Sequence, residues 1–331
     1  MVRGIFHSQD LSKHSFLVTG GAGFIGSHLA EYLLIHGAGK VRVLDNLVNG
    51  FQSNLNILSQ YPAFEFHKGD IRDLEHCRAA CEGINYVSHQ AALGSVPRSI
   101  KEPFHTNDVN VGGFVNILNA AVESKVNQFV FASSSSVYGD ESKLPKREDQ
   151  IGNCLSPYAV SKRTDELYAA VFSKVYNIPA IGFRYFNIFG PRQDPEGPYA
   201  AVIPLFVKGI LNNTPVYING DGEQTRDFTF VENAVQINIK GMLTEDPAAQ
   251  NKVYNVAIGS QVSLNYLYNE ILQYLNSSHK PIYRVQREGD ILHSLADISL
   301  ARRLLKYDPQ ISFNSGLQKT IEYFKKMHSD D

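Results

Sequence analysis

At 331 residues the chain exceeds the size at which a single core grows comfortably, so two lobes are expected. Its 43% hydrophobic and 19% charged residues are those of an ordinary globular protein. A net charge of −2 supplies no positive field for nucleic acid or an anionic membrane, so any anionic ligand must be held by a few placed groups. No apolar run reaches the length needed to cross a bilayer. Met1 to Ser15 carries Arg3, His7, Asp10 and Lys13 and lacks the apolar middle of a signal peptide; it is expected to be a short, poorly ordered leader. Cys77, Cys81 and Cys154 fit neither a disulfide framework nor a zinc pattern. They are expected as packed thiols in a reducing cytoplasm.

From Phe16 to about Tyr185 short β-branched or apolar runs alternate with amphipathic stretches. The runs are Phe16–Thr19, Val41–Leu44, Phe64–Phe66, Tyr86–Ser88, Gln128–Phe131 and Ala180–Phe183, and helices are expected over Gly26–His36 and Val111–Val122. This alternation predicts an α/β fold with a doubly wound parallel sheet covered on both faces. After Gly190-Pro191 the alternation fades. Helices around Leu264–Leu275 and Asp297–Leu305 predict a smaller C-terminal lobe. Residues 1–190 are therefore read as the first lobe and 191–331 as the second, with Lys252–Ala257 as a strand returning to the first.

Gly20-Gly21-Ala22-Gly23-Phe24-Ile25-Gly26 follows the first strand and opens the first helix. Glycines at 20, 23 and 26 permit a tight turn, close approach of a pyrophosphate and close helix–strand packing, and the helix N-terminus offers free amides to phosphate. Asp45 ends the second strand about 20 residues later, where a carboxylate accepts adenosine ribose hydroxyls and repels a 2′-phosphate. NAD is favoured over NADP. Asp70 closes the third strand within reach of an adenine. Capping or turn formation would also explain an aspartate at either place.

Tyr158 and Lys162 lie one helical turn apart and share a face. A phenol with a pKa near 10 is a poor base at neutral pH, and a neighbouring ammonium favours its phenolate. Ser133-Ser134-Ser135-Ser136-Val137-Tyr138-Gly139 follows another strand, placing hydroxyls at the carboxyl end of the sheet, where ligands of such folds bind. One of them can share a substrate proton with Tyr158. His28 and His89 read as structural, and no histidine is arranged with carboxylates as a metal site.

Together these motifs, with His89-Gln90-Ala91-Ala92, Asn110-Val111-Gly112-Gly113, Arg184 to Pro191, Thr225-Arg226-Asp227 and Arg287-Glu288-Gly289-Asp290, resemble the extended short-chain dehydrogenase/reductases, and among them the UDP-hexose 4-epimerases. The resemblance implies a Rossmann-type first lobe and a C-terminal substrate lobe. It places Phe24, Ile25, Asp45, Asn46, Asn49, Gly50, Asp70, Ile71, Gln90, Ala91, Ala92, Asn110, Tyr158, Lys162 and Tyr185 against NAD. Asn187, Arg226 and Arg287 would hold the diphosphate, although Arg226 and Arg287 could instead pair with Asp227 and Asp290. Val216, Tyr217 and Ile218 would lie beside the uracil, Asp290 near its ribose, and Ala201 and Val202 along the substrate. Gly94, Ser95, Arg98, Ser134, Ser135, Ser136 and Ser294 would surround the sugar. A homodimer is also implied, paired through helices from about Asn107 to Val122 and Tyr158 to Tyr176.

The implied chemistry has Tyr158, with Ser134 or Ser135, removing the 4-hydroxyl proton while carbon 4 is oxidised, followed by turnover of the 4-keto sugar and reduction of its other face. Related dehydratases and decarboxylases carry a carboxylate before Val-Tyr-Gly; here that place is Ser134-Ser135-Ser136, which favours epimerisation. Small residues at Gly94 and Ser294 point to UDP-N-acetylglucosamine and UDP-N-acetylgalactosamine. UDP-glucose/UDP-galactose and, through Arg98, a UDP-uronic acid stay open, as does a non-catalytic NAD sensor.

Overall fold

The computed structural model describes residues 4–196, 200–286 and 292–330. In chain order the first half runs β1 (Ser15–Thr19), α1 (Phe24–Ile35), β2 (Lys40–Asp45), α2 (Gln52–Leu58), β3 (Phe64–Lys68), α3 (Leu74–Cys81), β4 (Tyr86–His89), α4 (Val96–Lys101), α5 (Pro103–Asn107), α6 (Gly113–Glu123), β5 (Gln128–Ser134), α7 (Pro157–Tyr176) and β6 (Ala180–Tyr185). The second half adds β7 (Ile188–Phe189), α8 (Val202–Leu211), β8 (Tyr217–Asn219), β9 (Thr225–Arg226), β10 (Thr229–Phe230), α9 (Val231–Met242), β11 (Lys252–Val256), β12 (Val262–Ser263), α10 (Leu264–Leu275), β13 (Ile282–Arg284), α11 (Ser299–Leu305) and α12 (Phe313–Asp330).

Seven strands form one parallel sheet in the order β11-β6-β5-β4-β1-β2-β3. This is the doubly wound Rossmann arrangement. Successive residues of β1 serve opposite faces: Phe16 and Val18 pack with α1 and α9, Leu17 with α3 and α6. The chain leaves β1 toward β2 on one side and the sheet continues through β4 on the other, so the crevice opens where the loops after β1 and β4 diverge. A third core gathers α8, α10 and α12 around Phe189, Phe206, Phe228 and Phe313 and forms the smaller lobe.

Several expectations change in detail. The N-terminal stretch is docked from Gly4 onward, not poorly ordered: Phe6 stacks on Tyr32 at 5.3 Å, Gln9 Nε2 donates to Leu243 O at 3.1 Å, and Leu11 is buried. It has no periodicity to announce this, because its partners lie far along the chain. The helix expected over Val111–Val122 begins at Gly113, preceded by a single π-turn at Asp108–Gly112. β11 pairs with β6 along its length, and α9 and α11 also pack on the sheet, so the two lobes interleave in sequence. Among the described residues no helix is long and apolar enough to cross a membrane, and no cluster of histidine, cysteine or carboxylate side chains could hold a metal.

Candidate active site

A cavity of about 870 Å³ opens at the carboxyl end of the sheet. At one end it is floored by the glycine turn. Gly20 has φ +67°, and a Cβ there would sit 2.7 Å from the Ala91 nitrogen; at Gly26 a Cβ would strike the Gly20 carbonyl. No side chain caps the N-terminus of α1 at Gly23, so its amides face the cavity unengaged by a capping group. Asp45 is buried, with Oδ2 accepting the Ala22 N–H at 3.0 Å and Oδ1 the Leu47 N–H at 2.8 Å. Burial pushes its carboxyl up, while those amides oppose the shift. Each oxygen keeps a lone pair for a hydroxyl, so the turn-forming and ligand-binding readings of Asp45 are compatible.

Asp70 stands just behind the lining, between Gly69 and Ile71. Arg72 donates to both its oxygens, at 3.1 and 2.8 Å, and Asn46 Nδ2 donates at 3.0 Å. The guanidinium, with that amide, holds the Asp70 carboxyl well below the usual carboxylate range. Phe24, Ile25, Asn46, Asn49, Gly50 and Ile71 complete this end. A side-chain-free turn, an open helix N-terminus and a buried acid at the second strand suit a dinucleotide.

At the other end β5 and α7 converge. Ser156 Oγ caps α7 by accepting the Ala159 N–H at 3.1 Å, which sets Tyr158 in its first turn. Tyr158 and Lys162 both line the cavity, as do Ser133 and Ser134. Ser133 is committed elsewhere, donating to Glu166 Oε1 at 2.6 Å; Glu166 in turn is clamped by Arg184 Nε and Nη2, both at 2.9 Å. Ser134 Oγ accepts from the Ser136 amide and hydroxyl at 3.2 and 2.9 Å, while Ser135 and Ser136 lie outside the lining.

Two further arrangements were not legible in the sequence. Asn238, fully buried on α9, donates to Tyr185 Oη at 2.7 Å and accepts from Gln90 Nε2 at 3.0 Å, fixing two wall residues from behind. Asn110, expected against NAD, is instead buried outside the lining: it accepts the Leu93 N–H at 2.8 Å and donates to Ser161 Oγ at 3.1 Å, joining the loop that carries Gly94 to α7. Asn238 is one of several polar residues on α9 and Asn110 sits in the π-turn, and neither position names a partner. Ala91, Ala92, Gly94, Ser95, Arg98, Asn187 and Ala201 line the cavity, joined by Arg72, His105, Gln193 and Asp194.

Other expected contacts lie away from this lining. Val202 starts α8, and Val216 and Ile218 turn their side chains into the C-terminal core, leaving main chain and the 40%-exposed Tyr217 to face outward. Arg226 Nη1 donates to the Thr225 and Leu292 carbonyls at 2.9 and 3.3 Å, and Ser294 is joined to Thr225 O through its amide at 3.1 Å. Arg287 and Asp290 lie outside the described residues. His28 Nε2 reaches Pro191 O at 2.9 Å and His89 Nδ1 reaches Thr19 Oγ1 at 2.8 Å, as structural groups would, yet the second ring nitrogen of each is buried without a partner.

Comparison with known proteins places the chain in a family. The model of the NAD dependent epimerase/dehydratase family matches residues 16–257. The chain is 36% identical to a putative UDP-glucose 4-epimerase of Methanocaldococcus jannaschii, over 93% of this chain and 98% of the relative. Among solved structures it is similar to a UDP-N-acetylglucosamine 4-epimerase of Methanobrevibacter ruminantium in complex with UDP-N-acetylmuramic acid (37% identity, 95% and 99% coverage, TM-score 0.89). It is also similar to a UDP-glucuronic acid 4-epimerase of Bacillus cereus in complex with UDP-glucuronic acid and NAD (30% identity, 95% and 99% coverage, TM-score 0.87). With a match that spans the whole central sheet, the chain belongs to the NAD dependent epimerase/dehydratase family.

Proposed function

We propose that the protein inverts carbon 4 of a UDP-hexose, with UDP-N-acetylglucosamine and UDP-N-acetylgalactosamine as the preferred pair. One observation carries the reading: Tyr158, Lys162 and Ser134 meet Gly94 in one cavity with the dinucleotide turn. The carboxylates lining it among the described residues are Asp45, engaged by backbone amides, and Asp194, whose Oδ1 accepts the Glu196 N–H at 2.8 Å. At the end of β5, where elimination needs an acid or base, the chain offers serines.

The glycine turn, the α1 N-terminus and Asp45 would hold NAD, which would supply the acceptor and donor of hydride for carbon 4. Tyr158 takes the proton of the 4-hydroxyl and later returns it to the keto oxygen, and because the hydride removed from carbon 4 is also returned, to its other face, no net oxidation results. Ser134 donates a hydrogen bond to that oxygen, and Lys162 places a positive charge one turn from the phenol. In this scheme the 4-keto hexose turns over at the Gly94 end of the cavity while its diphosphate stays held.

The sugar choice rests on Gly94, where a built Cβ meets nothing within 4 Å, so an N-acetyl group finds open space. A 6-carboxylated hexose is the second reading, supported by Arg98 in the lining. The assay is proton NMR of products from UDP-N-acetylglucosamine, UDP-glucose and UDP-glucuronate. Fast turnover of the first supports the proposal, and preference for either other sugar defeats its substrate assignment. Inactivity on all three sinks the epimerase reading and favours a binding protein.

The same reading includes a homodimer. Val160, Leu167, Val171 and Val175 form a stripe along α7, each at least 52% exposed, beside Ile100 at 63% and Phe104 at 91%. A second copy packing helix on helix would cover it. Val171→Glu should yield a monomer by light scattering; an unchanged mass would remove the assignment of this face.

A further inference from the structure

The family resemblance gives the diphosphate to Arg226 and the sugar to Ser294, two residues of different chain segments that stand together outside the cavity lining. β9 joins them: the Thr225 N–H donates to Leu292 O at 2.9 Å, and the Ser294 N–H donates to Thr225 O at 3.1 Å. Thr225 Oγ1 lies 3.0 Å from His293 Nδ1 and accepts from Gln261 Nε2 at 2.8 Å. The next residue, Asp227, is fully buried. Its Oδ1 accepts the Ile258 N–H at 3.2 Å, and its Oδ2 accepts the Gly259 and Ala296 N–H groups, both at 3.2 Å.

Three amides from two segments thus converge on one group that must only accept. A carboxylate meets this demand, whereas the isosteric amide would turn its NH₂ against one of the donors. Ala296 lies two residues beyond Ser294, and Asp227 directly follows Arg226. We propose that Asp227 is a positioning residue for UDP-hexose binding, locking Arg226, the 258–259 turn and the Ser294–Ala296 segment into one unit. This rests on the reading that Arg226 and Ser294 face the substrate. Asp227 touches neither the sugar nor the dinucleotide, so its removal should weaken substrate binding without touching the proton-transfer groups.

The test measures steady-state kinetics of the NAD-loaded protein on UDP-N-acetylglucosamine. Asp227→Asn is expected to raise KM about tenfold, with kcat within twofold of wild type and bound NAD per chain unchanged. Loss of kcat and NAD together at unchanged KM marks a merely structural residue and overturns the proposal. Thr225→Val loosens the same unit while keeping the carboxylate, and serves if Asp227→Asn does not fold. A KM raised about threefold at constant kcat supports the unit, and an unchanged KM overturns it. Arg226→Gln separates the two levels. If it leaves KM unchanged, the underlying placement of the diphosphate fails and the proposal with it; if it raises KM while Asp227→Asn does not, the proposal about Asp227 alone fails.

Discussion

Lys162 and Asp165 form an ion pair inside the protein, Nζ to Oδ2 at 3.2 Å, with side chains 2% and 0% exposed. Burial pushes the Asp165 carboxyl up to about 7, while the Lys162 charge pulls it back, and Oδ1 has no partner. A pair this dry is costly to break from one side, since the survivor is left as an uncompensated charge. Asp165→Asn should therefore lose about 3–5 kcal/mol in urea unfolding. Lys162→Met with Asp165→Leu should recover at least half of that loss while abolishing turnover. A double variant no more stable than Asp165→Asn would refute the account.

Tyr158 supplies the proton-transfer group in the proposed reaction, and its hydroxyl is not needed for the fold of α7. Tyr158→Phe should lower kcat by about 10²–10⁴-fold. The purified variant should still carry NAD, read by absorbance after release. Retained activity would move the base elsewhere. Between the two candidate serines, Ser134→Ala should impair kcat more than Ser135→Ala, because Ser134 lines the cavity.

Glycines around the cavity make opposite forecasts. At Gly50 an added Cβ would lie 2.7 Å from Ala22 Cβ and 2.9 Å from Asp45 Oδ1, crowding the dinucleotide end. Gly50→Ala should cost about 1–3 kcal/mol and reduce NAD content. Gly94→Ala meets open space, so its melting temperature should match wild type while the ratio of activity on UDP-N-acetylglucosamine to that on UDP-glucose falls. Equal NAD content in both variants would contradict the first forecast, and an unchanged ratio the second.

His28 gives a pH dependence with a definite sign. Burial, aided by the Arg192 cation, pushes its ring down from 6.5 to about 3. Below pH 6.5 the unfolded chain therefore holds more protons than the folded one, and the stability that the neutral ring lends is lost as pH falls from about 6.5 toward 3. His28→Asn lacks this loss. Its stability deficit relative to wild type should shrink by roughly 2 kcal/mol between pH 7 and pH 5. A constant deficit across that range would show the ring is not held neutral.

The parts of this protein visible in its sequence are those whose physics is local. Alternation of β-branched runs with amphipathic stretches dictated the parallel sheet, the glycines at 20, 23 and 26 the dinucleotide turn, and the single-turn spacing of Tyr158 and Lys162 their shared face. Those features need only neighbouring residues to be read. Only the tertiary structure decided that Ser134 and not Ser135 lines the cavity, because β5 runs on through Ser134 to the wall and the chain turns away at Ser135. It likewise decided that Asp227 serves backbone amides of two distant segments, that Asn238 braces Gln90 and Tyr185, and that the leader docks on Tyr32. Each of these joins residues far apart along the chain, and sequence spacing carries no information on which buried polar group will meet which.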